Sequence, residues 1–188
     1  DSIAARDCGW LQFYAESSQE AYDTTLQAFK IAEAVDVPVM VNVDGFTLSH
    51  VWEPVELMSK GVVGVYKPWV KLDPSKPVTM GPIAYPEHYM SFKRQEYDTM
   101  AKSVAIIKKV NRGFVRKYGD GLVEGYKVKD ASVVILCMGS MCGTVRVFVD
   151  NMRKKGKKVG MLKLRCYRPF PSKELVKMLS KVKTVKVV

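Results

Sequence analysis

Ser132-Val133-Val134-Ile135-Leu136-Cys137-Met138-Gly139-Ser140-Met141-Cys142-Gly143-Thr144 reads as a strand entering a glycine turn and leaving it as a helix. The run from Ser132 to Met138 carries no charge, the pattern of a strand covered on both faces. Beyond the turn, Val145, Phe148, Val149 and Met152 recur at helical spacing up to Gly156. Val159 to Leu164 then predicts a second strand. After Arg168-Pro169-Phe170-Pro171, Ser172 is expected to cap a final helix carrying Leu175, Met178, Leu179 and Val182 on one side. Strand, helix, strand, helix is the grammar of a doubly wound α/β layer.

Working outward, the first third repeats it. Trp10 to Ala15 is aromatic-rich and strand-like. Ser17 stands three residues before Glu20, a capping box, and Tyr22, Leu26 and Phe29 follow at helical spacing. Val37 to Val43 predicts a short strand with Pro38 near its start, where a ladder tolerates it, and Asp44-Gly45-Phe46 is a sharp exit. A parallel strand pair joined by a crossover is expected. Between Leu57 and Phe92 periodicity fails; Pro54 at its edge and Pro68, Pro74, Pro77, Pro82 and Pro86 crowd there. A stretch this long suggests an inter-domain crossing. A helix is expected from Arg94 to Lys117, with Met100, Val104, Ile107 and Phe114 on one face and Gly119-Asp120-Gly121 as its stop. The expected division is thus 1–56, a crossing at 57–92, and 93–188: two doubly wound α/β units.

Of the 188 residues 47% are hydrophobic, ample for a core, and the net charge is +11. The excess concentrates late, as in Arg153-Lys154-Lys155, Lys157-Lys158, Lys181, Lys183 and Lys186. Such lysines read as solvated faces and guarded strand edges, or as charge balanced by acidic partner subunits, rather than as a nucleic-acid surface. No apolar run approaches the roughly 20 residues of a membrane span and no leader opens the chain, so a cytoplasmic location and no membrane partner are expected. The chain begins at Asp1 and stops inside an apolar run at Val187-Val188, from which we expect an internal piece of a longer protein. Cys8, Cys137, Cys142 and Cys166 show neither zinc spacing nor a ferredoxin-type run; buried thiols in a reducing compartment are expected, and no metal site.

Three groups of residues invite a chemical reading. Gly139-Ser140-x-x-Gly143-Thr144 offers amides at a helix start that favour an anion, although glycine there also serves conformation alone; it is neither a Walker loop nor a dinucleotide fingerprint. Asp44, Ser49 and His50 suggest a hydrolase triad, but the adjacent Ser49 and His50 are expected to point apart and the glycine elbow is missing. His50 then reads as a loop residue at the strand's carboxyl edge, where open sheets place ligands. Arg6, ahead of Cys8-Gly9 and a buried strand, could hold a carboxylate in a two-pronged grip or form a surface salt bridge. The residues alone leave both open.

At these same residues a family becomes visible. Asp1-Ser2-Ile3, the run Arg6-Asp7-Cys8-Gly9-Trp10-Leu11-Gln12-Phe13-Tyr14-Ala15-Glu16, Val37-Pro38-Val39-Met40, Asp44-Gly45-Phe46, Ser49-His50, Met138-Gly139-Ser140 and Lys163-Leu164-Arg165-Cys166-Tyr167-Arg168-Pro169-Phe170 occur in one order along the chain. Together they resemble the alpha subunit of 2-oxoacid:ferredoxin oxidoreductases, particularly the pyruvate enzymes. Cys8 departs from the threonine that most relatives carry there.

The resemblance implies that 1–56 form the back half of a thiamine-diphosphate pyrimidine-binding domain and 93–188 a transketolase C-terminal-like domain. It implies oxidative decarboxylation of pyruvate to acetyl-CoA and carbon dioxide, with electrons passed to ferredoxin. Thiamine diphosphate with Mg2+ would be shared with another subunit, and [4Fe-4S] clusters carried by others of beta, gamma and delta type. Pyruvate, coenzyme A and ferredoxin are the implied partners. Arg6 is the implied substrate-binding residue; no catalytic residue falls within the chain, and this piece alone is expected neither to bind the cofactors nor to be active. The alternatives are a branched-chain 2-oxoacid, 2-oxoglutarate or oxalate as substrate, or a non-catalytic module retained for subunit assembly.

Overall fold

Alternation along two strands accounts for the larger sheet. Val133, Ile135, Cys137, Val159 and Met161 point to one face, where Cys142, Val145, Val149 and Met152 cover them. Val134, Leu136, Leu162 and Leu164 point to the other, against Leu175, Met178 and Leu179. With side chains alternating at a period of two, a strand that is apolar throughout needs a helix on each side.

The structure, a computed structural model describing residues 1–59, 72–79 and 81–188, places a short 3-10 turn (Ser2–Ala5) ahead of the regular elements. These are β1 (Leu11–Tyr14), α1 (Ser18–Val35), β2 (Val39–Asn42), α2 (Pro86–Gly113), β3 (Val123–Tyr126), β4 (Val133–Cys137), α3 (Met141–Lys154), β5 (Val159–Leu164), β6 (Cys166–Arg168), α4 (Ser172–Leu179) and β7 (Thr184–Val187). One sheet has the order β2-β1-β6, the other β3-β5-β4-β7. The α/β class expected from the sequence is what forms. β1 and β2 pair in parallel with Leu11 opposite Val39 and Tyr14 opposite Asn42, and β4 is parallel to both β5 and β7.

Several details differ from expectation. α2 starts at Pro86, not Arg94, because proline is favoured in the first helical turn where its missing N–H costs nothing. It stops at Gly113, before Lys117, where Phe114 turns to an extended conformation and buries its ring. Two antiparallel pairings also arise, β3 with β5 and β6 with β1. Ser172 is the first residue of α4 and makes no capping hydrogen bond; Pro171 occupies the cap. Half of the capping box of α1 forms, as Glu20 N–H donates to Ser17 Oγ at 3.2 Å. The Glu20 carboxylate, however, accepts from the Glu16 amide at 2.8 Å rather than closing back on Ser17.

The expected division assigns α2 to the second unit. Its Met100 and Ile107 lie in a core that draws on both expected units, Leu11, Phe13 and Ile31 from the first and Leu122 and Cys166 from the second. Periodicity announces an apolar stripe but not which core receives it. Of the proline-rich crossing, residues 60–71 and 80 lie outside the described residues.

Candidate functional site

The carboxyl end of β1 meets the second sheet in a network of charges. Glu16 follows β1 and Glu20 lies in the first turn of α1. Lys163 reaches them from β5, 2.8 Å from Glu16 and 2.5 Å from Glu20. Arg165 Nε donates to Glu20 Oε1 at 3.0 Å, and its other nitrogens go to the Gly121 carbonyl, Thr24 and Gln27. Arg146 of α3 grips Glu16 with two nitrogens at 2.8 and 3.0 Å and reaches Glu124 at 2.8 Å. Lys163 and Arg165 are 1% and 0% exposed, so each charge depends on its partners rather than on water. Burial alone would raise the Glu16 carboxyl, but Arg146 and Lys163 outweigh it and hold it below the ordinary range. Burial alone would depress Lys163, and Glu20 and Glu16 reverse that to hold it above its ordinary value. Beside this network Arg116 and the Tyr118 hydroxyl both bind Asp23, Tyr118 at 2.6 Å; burial first, then Asp23, pushes the Tyr118 phenol up. Sequence reasoning missed this cluster. The signal available was Lys163 standing among apolar residues of a strand buried at every position.

The glycine turn is already occupied. Ser140 N–H donates to Asp44 Oδ2 at 2.6 Å, so the anion at this helix start is the chain's own carboxylate, delivered by the loop after β2. Gly139 has φ +69°, and a Cβ there would lie 2.7 Å from that same oxygen. Both the conformation and the close approach require glycine.

Ser49 and His50 do meet, contrary to expectation: Ser49 Oγ lies 2.6 Å from His50 Nδ1. The turn that brings them together is closed by the Asp44 carbonyl, which accepts from Leu48 and Ser49 N–H. Ser49 Oγ also accepts from Phe46 N–H at 3.1 Å, and Phe46 stacks on the imidazole with centroids 4.8 Å apart. Asp44 is committed to Ser140, so these residues do not assemble as a triad.

Arg6 ends the 3-10 turn. Its side chain is 50% exposed and meets Asp7 at 3.4 Å and the Ile3 carbonyl at 3.3 Å. The turn is fastened to β1, since Ser2 Oγ lies 2.8 Å from Tyr14 Oη and Gln12 Nε2 donates to the Ser2 carbonyl at 2.8 Å. Gly9, at φ +85° against the Glu96 carboxylate, leads into the strand. Asp7 also borders a cleft of about 370 Å³ whose lining includes Lys93, Glu96, Met100, Arg168 and Phe170. Arg168 lies 3.7 Å from Asp7, and its buried Nε has no hydrogen-bond partner among the described residues. Among the described residues no cluster of three or more His, Cys, Asp or Glu could hold a metal ion, and no helix is long and apolar enough to cross a membrane.

Two family descriptions match this chain: "Pyruvate flavodoxin/ferredoxin oxidoreductase, thiamine diP-bdg" over residues 1–112 and "Pyruvate:ferredoxin oxidoreductase core domain II" over residues 131–188. The pyruvate synthase subunit PorA of Methanocaldococcus jannaschii is 43% identical over 198 aligned positions, covering 100% of this chain and 51% of that protein. PorA of Thermotoga maritima is 44% identical, with 100% and 50% covered. The ketoisovalerate oxidoreductase subunit VorA of Pyrococcus horikoshii is 37% identical, with 100% and 50% covered. The chain therefore spans about half the length of these curated relatives. Among solved structures, the 2-oxoglutarate:ferredoxin oxidoreductase from Magnetococcus marinus, with 2-oxoglutarate, coenzyme A and succinyl-CoA bound, superposes with a TM-score of 0.61 at 19% identity. That superposition covers 95% of this chain and 34% of the other, and shows the shared fold. With one matched region reaching through α2 and the other spanning β4 to β7, the chain belongs to the pyruvate flavodoxin/ferredoxin oxidoreductase family, as a thiamine-diphosphate-binding part joined to core domain II.

Proposed function

We propose that this chain is part of the alpha-type subunit of a pyruvate:ferredoxin oxidoreductase, a cytoplasmic complex that converts pyruvate and coenzyme A to acetyl-CoA and carbon dioxide while reducing ferredoxin. The observation that carries this reading is the likeness to pyruvate synthase subunits along the whole chain at 43–44% identity. A branched-chain 2-oxoacid is the second reading, supported by the 37% identity to a ketoisovalerate enzyme subunit over the same length. In the pyruvate reading, beta, gamma and delta type subunits carry the [4Fe-4S] clusters and share the thiamine diphosphate and its Mg2+.

The residues of this chain do not fit the diphosphate end of that cofactor. The helix start that could cradle a phosphate holds Asp44, and the described residues present no metal cluster. This chain then serves the substrate side, with Arg6 as its contribution. An exposed ion pair such as Arg6–Asp7 is weak, so a substrate carboxylate can take its place in a two-pronged grip. Arg6 would then fix the carboxylate and orient the neighbouring carbonyl. Its hold must loosen as that carboxylate departs as carbon dioxide.

The test is Arg6→Leu in the full complex. A charge-assisted bidentate contact contributes about 1.5–3 kcal/mol, so kcat/KM for pyruvate should fall on the order of ten- to a few hundred-fold with assembly and cofactor content unchanged. Arg6→Lys should recover only part, because a point charge lacks the planar fork. Near-normal kcat/KM in the leucine variant at full cofactor loading would leave Arg6 as a surface ion pair.

A further inference from the structure

Cys137 closes β4 and Cys142 lies in the first turn of α3. Their sulfurs are 3.5 Å apart across the Gly139-Ser140 turn, and the proposed function uses neither. A disulfide requires about 2.05 Å between sulfurs, so about 1.5 Å separates this pair from a bond. Both thiols are buried in an apolar cluster with Val145, Val149 and Met161, where each is the other's polar partner. Packing alone would be met as well by two small apolar side chains. Two thiols facing each other instead hold a nucleophile and a second thiol in one site, which converts a bimolecular step into an intramolecular one. The remaining cysteines differ in setting: Cys8 is exposed, and the Cys166 sulfur turns toward the carbonyls of Arg168 and Pro169.

We propose that Cys137 and Cys142 form a reversible dithiol–disulfide site, oxidised by hydrogen peroxide and restored by a small dithiol. Cys137 is the attacking thiol. The hydrogen bond from Cys142 favours its ionised form, against the opposing effect of burial, whereas the same bond and burial together raise Cys142. In the first step the Cys137 sulfur attacks one peroxide oxygen and the O–O bond breaks. The other oxygen leaves as hydroxide and, with the proton from Cys137, becomes water, leaving a sulfenic acid. In the second, the Cys142 sulfur attacks that of Cys137 and the S–O bond breaks. Hydroxide departs and takes the Cys142 proton as a second water. The two thiols have then lost two electrons and two protons, and peroxide has become two waters. The bridge would span the turn whose Ser140 amide holds Asp44, so oxidation acts where the loop after β2 docks on the second sheet.

Trypsin cleavage after Lys129 and Arg146 releases both cysteines on one peptide, 130–146. The natural full-length protein is treated with peroxide, denatured and alkylated before digestion, with the exposed Cys8 reporting that oxidant was present. The expected peptide is two hydrogens lighter and takes no label; after treatment with a dithiol it takes two. In Cys142→Ser, Cys137 should stop at the sulfenic acid and be captured by a 1,3-dione, and in Cys137→Ser no capture should occur at Cys142. Two labels on 130–146 under conditions that oxidise Cys8 would overturn the proposal. So would sulfinic acid on either cysteine without a bridge, or capture at Cys142 in place of Cys137.

Discussion

Glu20 shows how much one side chain can carry. It accepts the Glu16 amide, binds Lys163 and Arg165, and is itself 1% exposed. Removing one member of a buried ion network leaves the others charged and unpaired, which costs about 3–5 kcal/mol. Glu20→Gln keeps the shape but not the charge, and at roughly 2–4 °C per kcal/mol for a chain of this size it should lower Tm on the order of 10 °C. Arg94→Ala is the control, since Arg94 meets Asp98 at 3.1 Å on the surface with its side chain 74% exposed; it should leave Tm unchanged within error. Equal shifts in the two variants would mean that the buried network contributes no more than a surface pair. Nothing in the primary pattern advertises this role for Glu20. The residue was legible as half of a capping box, but its use as a counter-ion depends on which strand lies opposite.

At the level of elements, what could be read and what could not divide by range. β1 and β2 were legible from their aromatic and β-branched residues, β4 and β5 as apolar runs, and α1 and α3 from their period of 3.6. The antiparallel β3 and β6 were not, since Val123–Tyr126 and Cys166–Arg168 are broken by Glu124, Gly125 and Arg168 and are fixed by their partners. The site was legible in the same proportion. Arg6, Asp44 and the glycine turn could be picked out by local spacing; Lys163, Arg165 and Arg146 required knowledge of what faces them. α2 joins both lessons, because its stripe was visible while its burial against α1 was not. That packing bears on how the chain can be cut. We propose that the segment from 51 to 85, aperiodic and rich in proline, separates the units, with α2 kept by the first. Val51, Trp52 and Leu57 are exposed, and Lys76 lies in an exposed turn. Chymotrypsin should therefore cleave after the exposed Leu57 or Leu72 before any site in β3, β4 or β5, as peptide mapping over time would show. Early cleavage at Tyr126 or Leu162 with Leu57 and Leu72 intact would sink this division.

Across the whole molecule, the two sheets are joined through ions as well as apolar contacts, which makes their union dependent on pH. Glu16 follows β1 of the first sheet, whereas Glu124 and Lys163 belong to the second and Arg146 to α3, which covers it. The Glu16 carboxyl is held below its ordinary value in the folded state. It therefore contributes stability that is fully present above the unfolded carboxyl value, about 4.3, and is lost as pH falls through the lower, folded one. Lys163 is held above its ordinary value. Its contribution is fully present below the unfolded lysine value, about 10.4, and is lost as pH rises through the higher, folded one. Between these limits neither group exchanges protons on unfolding, so this pair predicts a plateau from about pH 5 to pH 10 with a fall on either side. Because the network is buried, added salt should shift the plateau little. Thermal melts across pH can apportion the limbs. Glu16→Gln should lower the plateau, flatten the acid limb and, because Glu16 helps to hold Lys163 up, weaken the alkaline limb as well; Lys163→Met should flatten the alkaline limb and weaken the acid one. If Glu16→Gln instead falls in parallel with the parent below pH 5, the acid sensitivity belongs to other carboxylates. The junction between the sheets would then be held by its apolar contacts, with Glu16 a passenger.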